Sequence, residues 1–214
     1  MNFPDDSQRI SIVGATGSGK TQAALWHLSQ RSYDEMPWII YNTKSDASID
    51  AIPYAREIEI DQTPVEPGVF IVKPLPSQRE ETEAHQLAIW ERGNMGVYID
   101  EGYAMGSNND AFRALLTQGR SRRIPMIVLS QRPVWLDRFV FSESEYFQVF
   151  RLQHAKDRAA MEEIVPGSLE RLPPYYSWYY DAIGNRLVSM RPVPSIRHIH
   201  GTFAHRLAPR RKVV

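Results

Sequence analysis

Eight residues near the N-terminus, Gly14-Ala15-Thr16-Gly17-Ser18-Gly19-Lys20-Thr21, have the types and spacing needed to hold a phosphate chain. They match G-x-x-x-x-G-K-[ST] at every fixed position. Glycine permits the backbone dihedrals that turn successive N–H groups toward one point, making a nest for anionic oxygens. Lys20 supplies a cation for β- and γ-phosphates, and Thr21 offers a hydroxyl to Mg²⁺. A helix starting near Lys20 aims its positive dipole end at the same anion.

A Mg²⁺ site needs a second anchor, and Gly96-Val97-Tyr98-Ile99-Asp100-Glu101 provides one. An apolar strand ending in acids carries carboxylates to the mouth of the sheet, where open α/β folds bind ligands. Asp100 is expected to hold Mg²⁺ through water, and Glu101 to orient and deprotonate an attacking water. Another apolar strand ends at Ser130-Gln131-Arg132-Pro133, which places Gln131 to contact the γ-phosphate or that water. Arg120, Arg122 and Arg123 stand at the opposite end of the same strand. They lie too far away to serve the nucleotide of their own subunit, but could reach a neighbour's in a ring. The chemistry implied is ATP hydrolysis. Guanine recognition fits less well. Thr43-Lys44-Ser45-Asp46 resembles [NT]-K-x-D, yet it follows the phosphate loop by only one helix and one strand, with no D-x-x-G between them. A surface turn is expected there. The Lys-Gly-Gly start of partitioning ATPases is also absent.

Strands are expected at 9–13, 37–41, 56–60, 69–72, 96–99, 124–130 and 146–152, where β-branched or apolar runs are bounded by Gly and Pro. Helical spacing covers 20–30, 78–92, 110–118 and 156–165. Ala84, Leu87 and Ala88 are expected to face inward on the second of these, and Phe112, Leu115 and Leu116 on the third. Strands alternating with helices imply an α/β fold with a mostly parallel central sheet flanked by helices. Residues 175–181 and 186–191 read as a β-hairpin turning through Gly184-Asn185, with the aromatic run Tyr175-Tyr176-Ser177-Trp178-Tyr179-Tyr180 serving its packing. Residues 1–192 are therefore expected to form one domain, including the hairpin. Residues 193–214 are set apart as a basic arm ending in Pro209-Arg210-Arg211-Lys212, with His198, His200 and His205 as ordinary polar residues of that tail.

A chain of 214 residues, 43% hydrophobic and 23% charged, suits one globular domain with a substantial core. Without cysteine, disulfides and thiolate zinc sites are excluded. No apolar run approaches the roughly 18 residues of a membrane span. The opening Met1-Asn2-Phe3-Pro4-Asp5-Asp6 lacks the pattern of a secretion signal, so a soluble intracellular protein is expected. The 25 basic and 25 acidic residues balance overall, yet residues 1–107 carry net −8 and residues 108–214 net +8. Arginine dominates the basic half, and its planar fork suits phosphate, although scattered salt bridges on a neutral surface also explain the count.

The loop at 14–21, the strand at 97–101 and the run Gly119-Arg120-Ser121-Arg122-Arg123-Ile124…Ser130-Gln131-Arg132-Pro133 together resemble the FtsK–HerA superfamily of DNA-pumping ATPases. The short length, without a membrane or sensor domain, is most similar to the genome-packaging ATPases of membrane-containing icosahedral viruses. The resemblance implies a RecA-like P-loop core, ATP and Mg²⁺ as cofactors, and a homo-oligomeric ring, commonly hexameric, that moves double-stranded DNA. It also implies capsid-vertex or membrane proteins as docking partners, and a location in the host cytoplasm or the virion. Arg120 best matches the family's trans-acting arginine, with Arg122 and Arg123 as alternatives. Pumping without sequence preference requires phosphate contacts rather than base readout. Arg132 and Arg138, in the loop after Gln131, are the expected contacts. The segment 102–109 is a further candidate loop, and Pro209-Arg210-Arg211-Lys212 is expected at DNA or a neighbouring subunit. The alternatives are a cellular or plasmid DNA pump of the same superfamily, a small P-loop kinase (for which no separate lid insertion is evident), and a non-enzymatic nucleotide switch.

Overall fold

A computed structural model describes residues 2–106, 108–167, 169 and 172–209. The first strand, β1 (Arg9–Val13), leads into α1 (Lys20–Ser29). There follow β2 (Pro37–Tyr41), the short α2 (Ala47–Asp50), β3 (Arg56–Glu57), β4 (Gly68–Val72), α3 (Arg79–Arg92) and β5 (Gly96–Ile99). The later half contains α4 (Asp110–Gln118), β6 (Met126–Ser130), α5 (Arg138–Ser142), β7 (Tyr146–Val149), α6 (Ala155–Glu162), the hairpin β8 (Ser177–Asp181) and β9 (Arg186–Met190), and α7 (Ile196–Leu207). The strands form one nine-stranded sheet in the order β3-β4-β2-β5-β6-β1-β7-β8-β9. β3 through β7 in that order pair parallel, and the hairpin adds two antiparallel strands beyond β7.

Parallel pairing requires crossover connections, and these cover both faces of the sheet. The two-residue alternation of strand side chains sorts the core accordingly. Trp38 and Ile40 of β2 pack with Ile10 and Ile12 against Leu25 and Leu28 of α1. Ile39 and Tyr41 point the other way, toward Ile89 of α3 and Phe112, Leu115 and Leu116 of α4. A third cluster joins Val13, Phe147 and Val149 to Met161 of α6. No helix among the described residues is long and apolar enough to cross a membrane.

Two expectations need correction. On α3 the buried residues are Thr82, His85, Gln86 and Ile89, whereas Leu87 is 43% exposed and Ala84 is exposed. Tertiary hydrogen bonds fix this face: His85 Nδ1 meets Tyr41 Oη at 3.0 Å, and Gln86 Oε1 accepts from Asn109 Nδ2 at 2.8 Å. A polar group with a buried partner can turn inward in place of an apolar one. The second correction concerns the arm. Residues 196–207 form a helix docked on the core, with Ile199 and Phe203 buried and the Phe203 ring 5.1 Å from that of Tyr33. Ser195 caps it, and Arg206 lies over Tyr33 and donates to Ser29 O at 3.0 Å. His200 Nε2 meets Ser48 O at 2.9 Å, tying α7 to α2. Arg210 to Lys212 lie outside the described residues.

Several buried groups make stability depend on pH, His27 among them. His27 of α1 sits among Phe3, Trp26 and Tyr179, and its Nε2 meets Gln148 Oε1 at 2.9 Å. Burial disfavours the imidazolium and pushes its pKa down to about 3. Above the unfolded value of about 6.5, neither state is protonated and nothing changes. Below it the unfolded chain takes up a proton that the folded chain refuses, so stability falls by about 1.4 kcal/mol per pH unit. Denaturant titrations should show roughly 2 kcal/mol lost through this residue between pH 6.5 and 5. His27→Gln should remove that share of the pH dependence relative to the parent chain, whatever it does to stability at pH 7; a pH dependence identical to the parent's would reject the assignment.

Candidate active site

The loop after β1 is tied down at both ends. Gly14 N donates to Ser130 O at 3.1 Å, Ala15 N to Arg151 O at 2.9 Å, and Ser18 N to Ala15 O at 3.2 Å. A Cβ on Gly14 would stand 2.6 Å from both Phe150 Cβ and Ser18 Oγ, so only glycine fits there. Gly17 and Gly19 adopt φ of 72° and 101°, left-handed values that side chains disfavour. Helix α1 begins at Lys20, with no acid in its first turn and no side-chain cap from its N-cap residue, Gly19. The buried Ser18 Oγ finds no hydrogen-bond partner among the described residues. Such a cradle suits an anion.

Opposite the loop stand the acids. In the sheet β6 lies between β1 and β5, so Gln131 at the end of β6 comes between the phosphate loop and the Asp100-Glu101 pair. Asp100 is 2% exposed, and its Oδ2 has no hydrogen-bond partner among the described residues. Burial raises its pKa to about 7, against the pull of Lys44. Glu101 is 1% exposed; its Oε2 accepts from Gln131 N at 3.2 Å, and its Oε1 is 4.0 Å from Lys20 Nζ. Burial lowers the pKa of Lys20, with Glu101 opposing. The Gln131 side chain accepts from Thr16 Oγ1 at 2.6 Å. The fold thus brings Gly14 to Thr21, Asp100, Glu101 and Gln131 to one edge of the sheet. The orphaned carboxylate oxygen of Asp100 fits a divalent cation, and Thr21, in the first turn of α1, could complete its protein ligands.

The arginines separate. Arg120, Arg122 and Arg123 lie at the other edge, in and just after a 3₁₀ turn, Gly119–Arg122, ahead of β6. Arg120 is 63% exposed, with Glu145 Oε1 3.8 Å away. Arg122 lies 3.9 Å over the Trp90 ring and donates to Glu91 O at 3.3 Å. Arg132, expected as a DNA contact, is part-exposed and ion-paired. Its Nε donates to the buried Asp157 Oδ2 at 2.8 Å, and its guanidinium stacks on Trp135. A buried carboxylate needs such a partner, and this holds Arg132 in the fold. Arg138, which opens α5, is exposed.

No protein-family model matches the chain. It is 44% identical to the DNA packaging ATPase P9 of Enterobacteria phage PRD1 over 217 residues, spanning 95% of each protein. The chain belongs to the FtsK–HerA family of genome-packaging ATPases. Solved structures agree on its fold. The genome packaging NTPase B204 of Sulfolobus turreted icosahedral virus 2 superimposes with a TM-score of 0.71 in its AMP complex and 0.65 in its ATP-γS complex. Each match is at 15% identity and covers 89% of this chain and all of that one. A two-ATPase fragment of EssC from Geobacillus thermodenitrificans matches 94% of this chain and 44% of its own length, at 10% identity and a TM-score of 0.62.

Two features of this packaging ATPase escaped the sequence. Lys44 is in a turn after β2, as expected, yet its Nζ bonds Glu101 Oε1 in the centre of the site. The aromatic run also divides. Trp178, Tyr179 and Tyr180 belong to β8, whereas Tyr175 and Tyr176 line a cavity of about 240 Å³ with Gly17, Ser18, Arg151, Pro173 and Pro174. Tyr175 has a φ of 65°, and its ring lies 3.3 Å from where a Cβ on Gly19 would be. The prolines and glycines near these residues would have been the available clue.

Proposed function

We propose that this chain hydrolyses ATP at the site described and uses the energy to drive double-stranded DNA into a viral capsid, working as a homo-oligomeric ring, with a hexamer as the expected form. One observation carries the reading. The phosphate loop, Asp100, Glu101 and Gln131 meet at one edge of the sheet, while the exposed Arg120 stands at the other. That division suits a site completed by a neighbour. The loop amides and Lys20 bind and orient the triphosphate; Thr21 and Asp100 would hold Mg²⁺, which would offset the negative charge of the phosphates. Glu101 takes the proton of the attacking water, and Gln131 orients that water. The cavity under Tyr175 takes the base and ribose, since an aromatic ring with two prolines offers flat apolar surface beside the loop.

Contact with DNA is assigned to Arg138 and its surroundings. Tyr103 and Trp135 are both exposed and pack edge-to-face at 5.6 Å, and the chain enters them directly from Glu101 and from Gln131-Arg132. A strand of phosphates moving past this surface is coupled to the two residues that handle water. Docking proteins at a capsid vertex or membrane complete the expected partners, in the host cytoplasm or the virion.

ATP turnover measured with and without duplex, over a salt series and with the solution mass recorded, tests the reading. Duplex should stimulate turnover whatever its sequence. With about six phosphates neutralised, apparent DNA affinity should fall roughly 10³-fold between 50 and 200 mM salt. Turnover indifferent to duplex, or a response flat in salt, would refute DNA translocation by phosphate contacts.

A further inference from the structure

The phosphate loop grips a triphosphate without regard to its base, so any choice of base falls to the cavity beside the loop. That cavity, of about 240 Å³, runs from Gly17 and Ser18 to a turn at Pro173-Pro174-Tyr175-Tyr176. A larger cavity of about 490 Å³, with Val149, Leu152 and Trp178 in its wall, adjoins it, and Arg151 and Leu172 line both. Tyr176 N donates to Pro173 O at 3.1 Å, which puts Pro174 and Tyr175 at the centre of the turn. Tyr175 has a φ of 65° there, where glycine or asparagine is the usual occupant. A tyrosine in that place gives the turn a ring beside the loop, and the ring is 59% exposed and free to stack on a base.

Stacking holds any base by its face; discrimination is made at the edge. Adenine offers an acceptor at N7 and a donor at N6, whereas guanine offers acceptors at both N7 and O6. The turn does little to read adenine. Its two prolines carry no N–H, and the carbonyl of Pro173 is engaged by Tyr176. Arg151 offers more. Its carbonyl accepts from Ala15 N at 2.9 Å, but its guanidinium has no hydrogen-bond or ion-pair partner among the described residues. A guanidinium has donors only. It matches O6 and N7 of guanine as a fork and meets the amino group of adenine donor to donor. The segment Thr43–Asp46, which resembles a guanine-reading element, takes no part, because Lys44 is bonded to Glu101.

We propose that this chain hydrolyses GTP as well as ATP, and that Arg151 is the residue that sets the balance between the two bases. This rests on the reading of the loop as the triphosphate site and of the cavity under Tyr175 as the base site.

Steady-state hydrolysis of ATP and GTP by the full chain tests it. The parent kcat/KM for GTP should lie within about tenfold of that for ATP; a larger bias toward ATP overturns the inference. Arg151→Gln replaces a donor-only group with an amide, whose donor and acceptor together match N7 and N6 of adenine. The ratio of GTP to ATP kcat/KM should then fall about tenfold, and Arg151→Ala, which reads neither base, should fall between parent and Gln. A merely structural role would lower both nucleotides alike. A ratio unmoved by Arg151→Gln, with both substrates weakened equally, would make Arg151 a phosphate contact and overturn the assignment. Lys20→Ala checks the underlying site separately, by displacement of a fluorescent ATP analogue with ATP or GTP. Both nucleotides should weaken together. If ATP binding survives Lys20→Ala, the phosphate-loop reading has failed first, and the base assignment falls with it.

Discussion

Glu101→Gln should bind nucleotide at least as tightly as the parent chain and hydrolyse it about 10²–10⁴-fold more slowly. The amide keeps an oxygen that can accept from Gln131 N, so the local geometry survives. It cannot take a proton from water. It also discharges the acid that faces Lys20 at 4.0 Å and bonds Lys44, leaving both ammonium groups to the incoming phosphates. Binding and turnover therefore move in opposite directions, which distinguishes loss of a base from general damage to the site. Equilibrium titration with a fluorescent ATP analogue and single-turnover hydrolysis would measure the two. If the variant retained parental turnover, another group would have to activate the water. If it lost binding as well, Glu101 would be a structural acid rather than a catalytic one.

The parts of this site legible in the sequence are those whose chemistry is local. The phosphate loop is eight consecutive residues between a strand and a helix, and its dihedral demands are met by glycines at fixed places. Asp100, Glu101 and Gln131 each follow directly on an apolar strand, so knowing that the strands are parallel suffices to place them at one edge. Lys44 was harder. It is 57 residues from Glu101 and meets it because β2 pairs with β5, an adjacency that apolar runs do not encode. Arg132 has an exposed-looking position beside Pro133, and only the fold reveals Asp157 buried beneath it. The inward face of α3 misled for a related reason. Hydropathy ranks Leu87 above His85, but His85 and Gln86 have hydrogen-bonding partners inside and Leu87 has water outside. Helix α7 hid behind its own histidines and arginines, since two buried residues, Ile199 and Phe203, hold it in place.

Arg120→Ala should leave ATP binding nearly intact and lower hydrolysis by about 10³-fold, the lower range for an arginine supplied in trans. Among the three arginines the geometry favours this one. Arg122 is stacked on Trp90 and donates to Glu91 O, and Arg123 takes a left-handed φ of 54° at the end of the turn. Arg120 is largely exposed, held by one long contact to Glu145 that solvent screens. It can leave that contact at little cost when a neighbour's triphosphate offers a full anion. Mixing makes the trans claim decisive. In a head-to-tail ring each site combines Glu101 of one subunit with Arg120 of the next. Equal mixing of Arg120→Ala with Glu101→Gln, each inactive alone, then assembles about a quarter of the sites with both groups intact, because each half is present with even odds. Turnover should reappear in the mixture and peak near equal proportions. Rings shown by mass to be mixed, yet no more active than either parent, would mean that Arg120 acts within its own subunit or not at all.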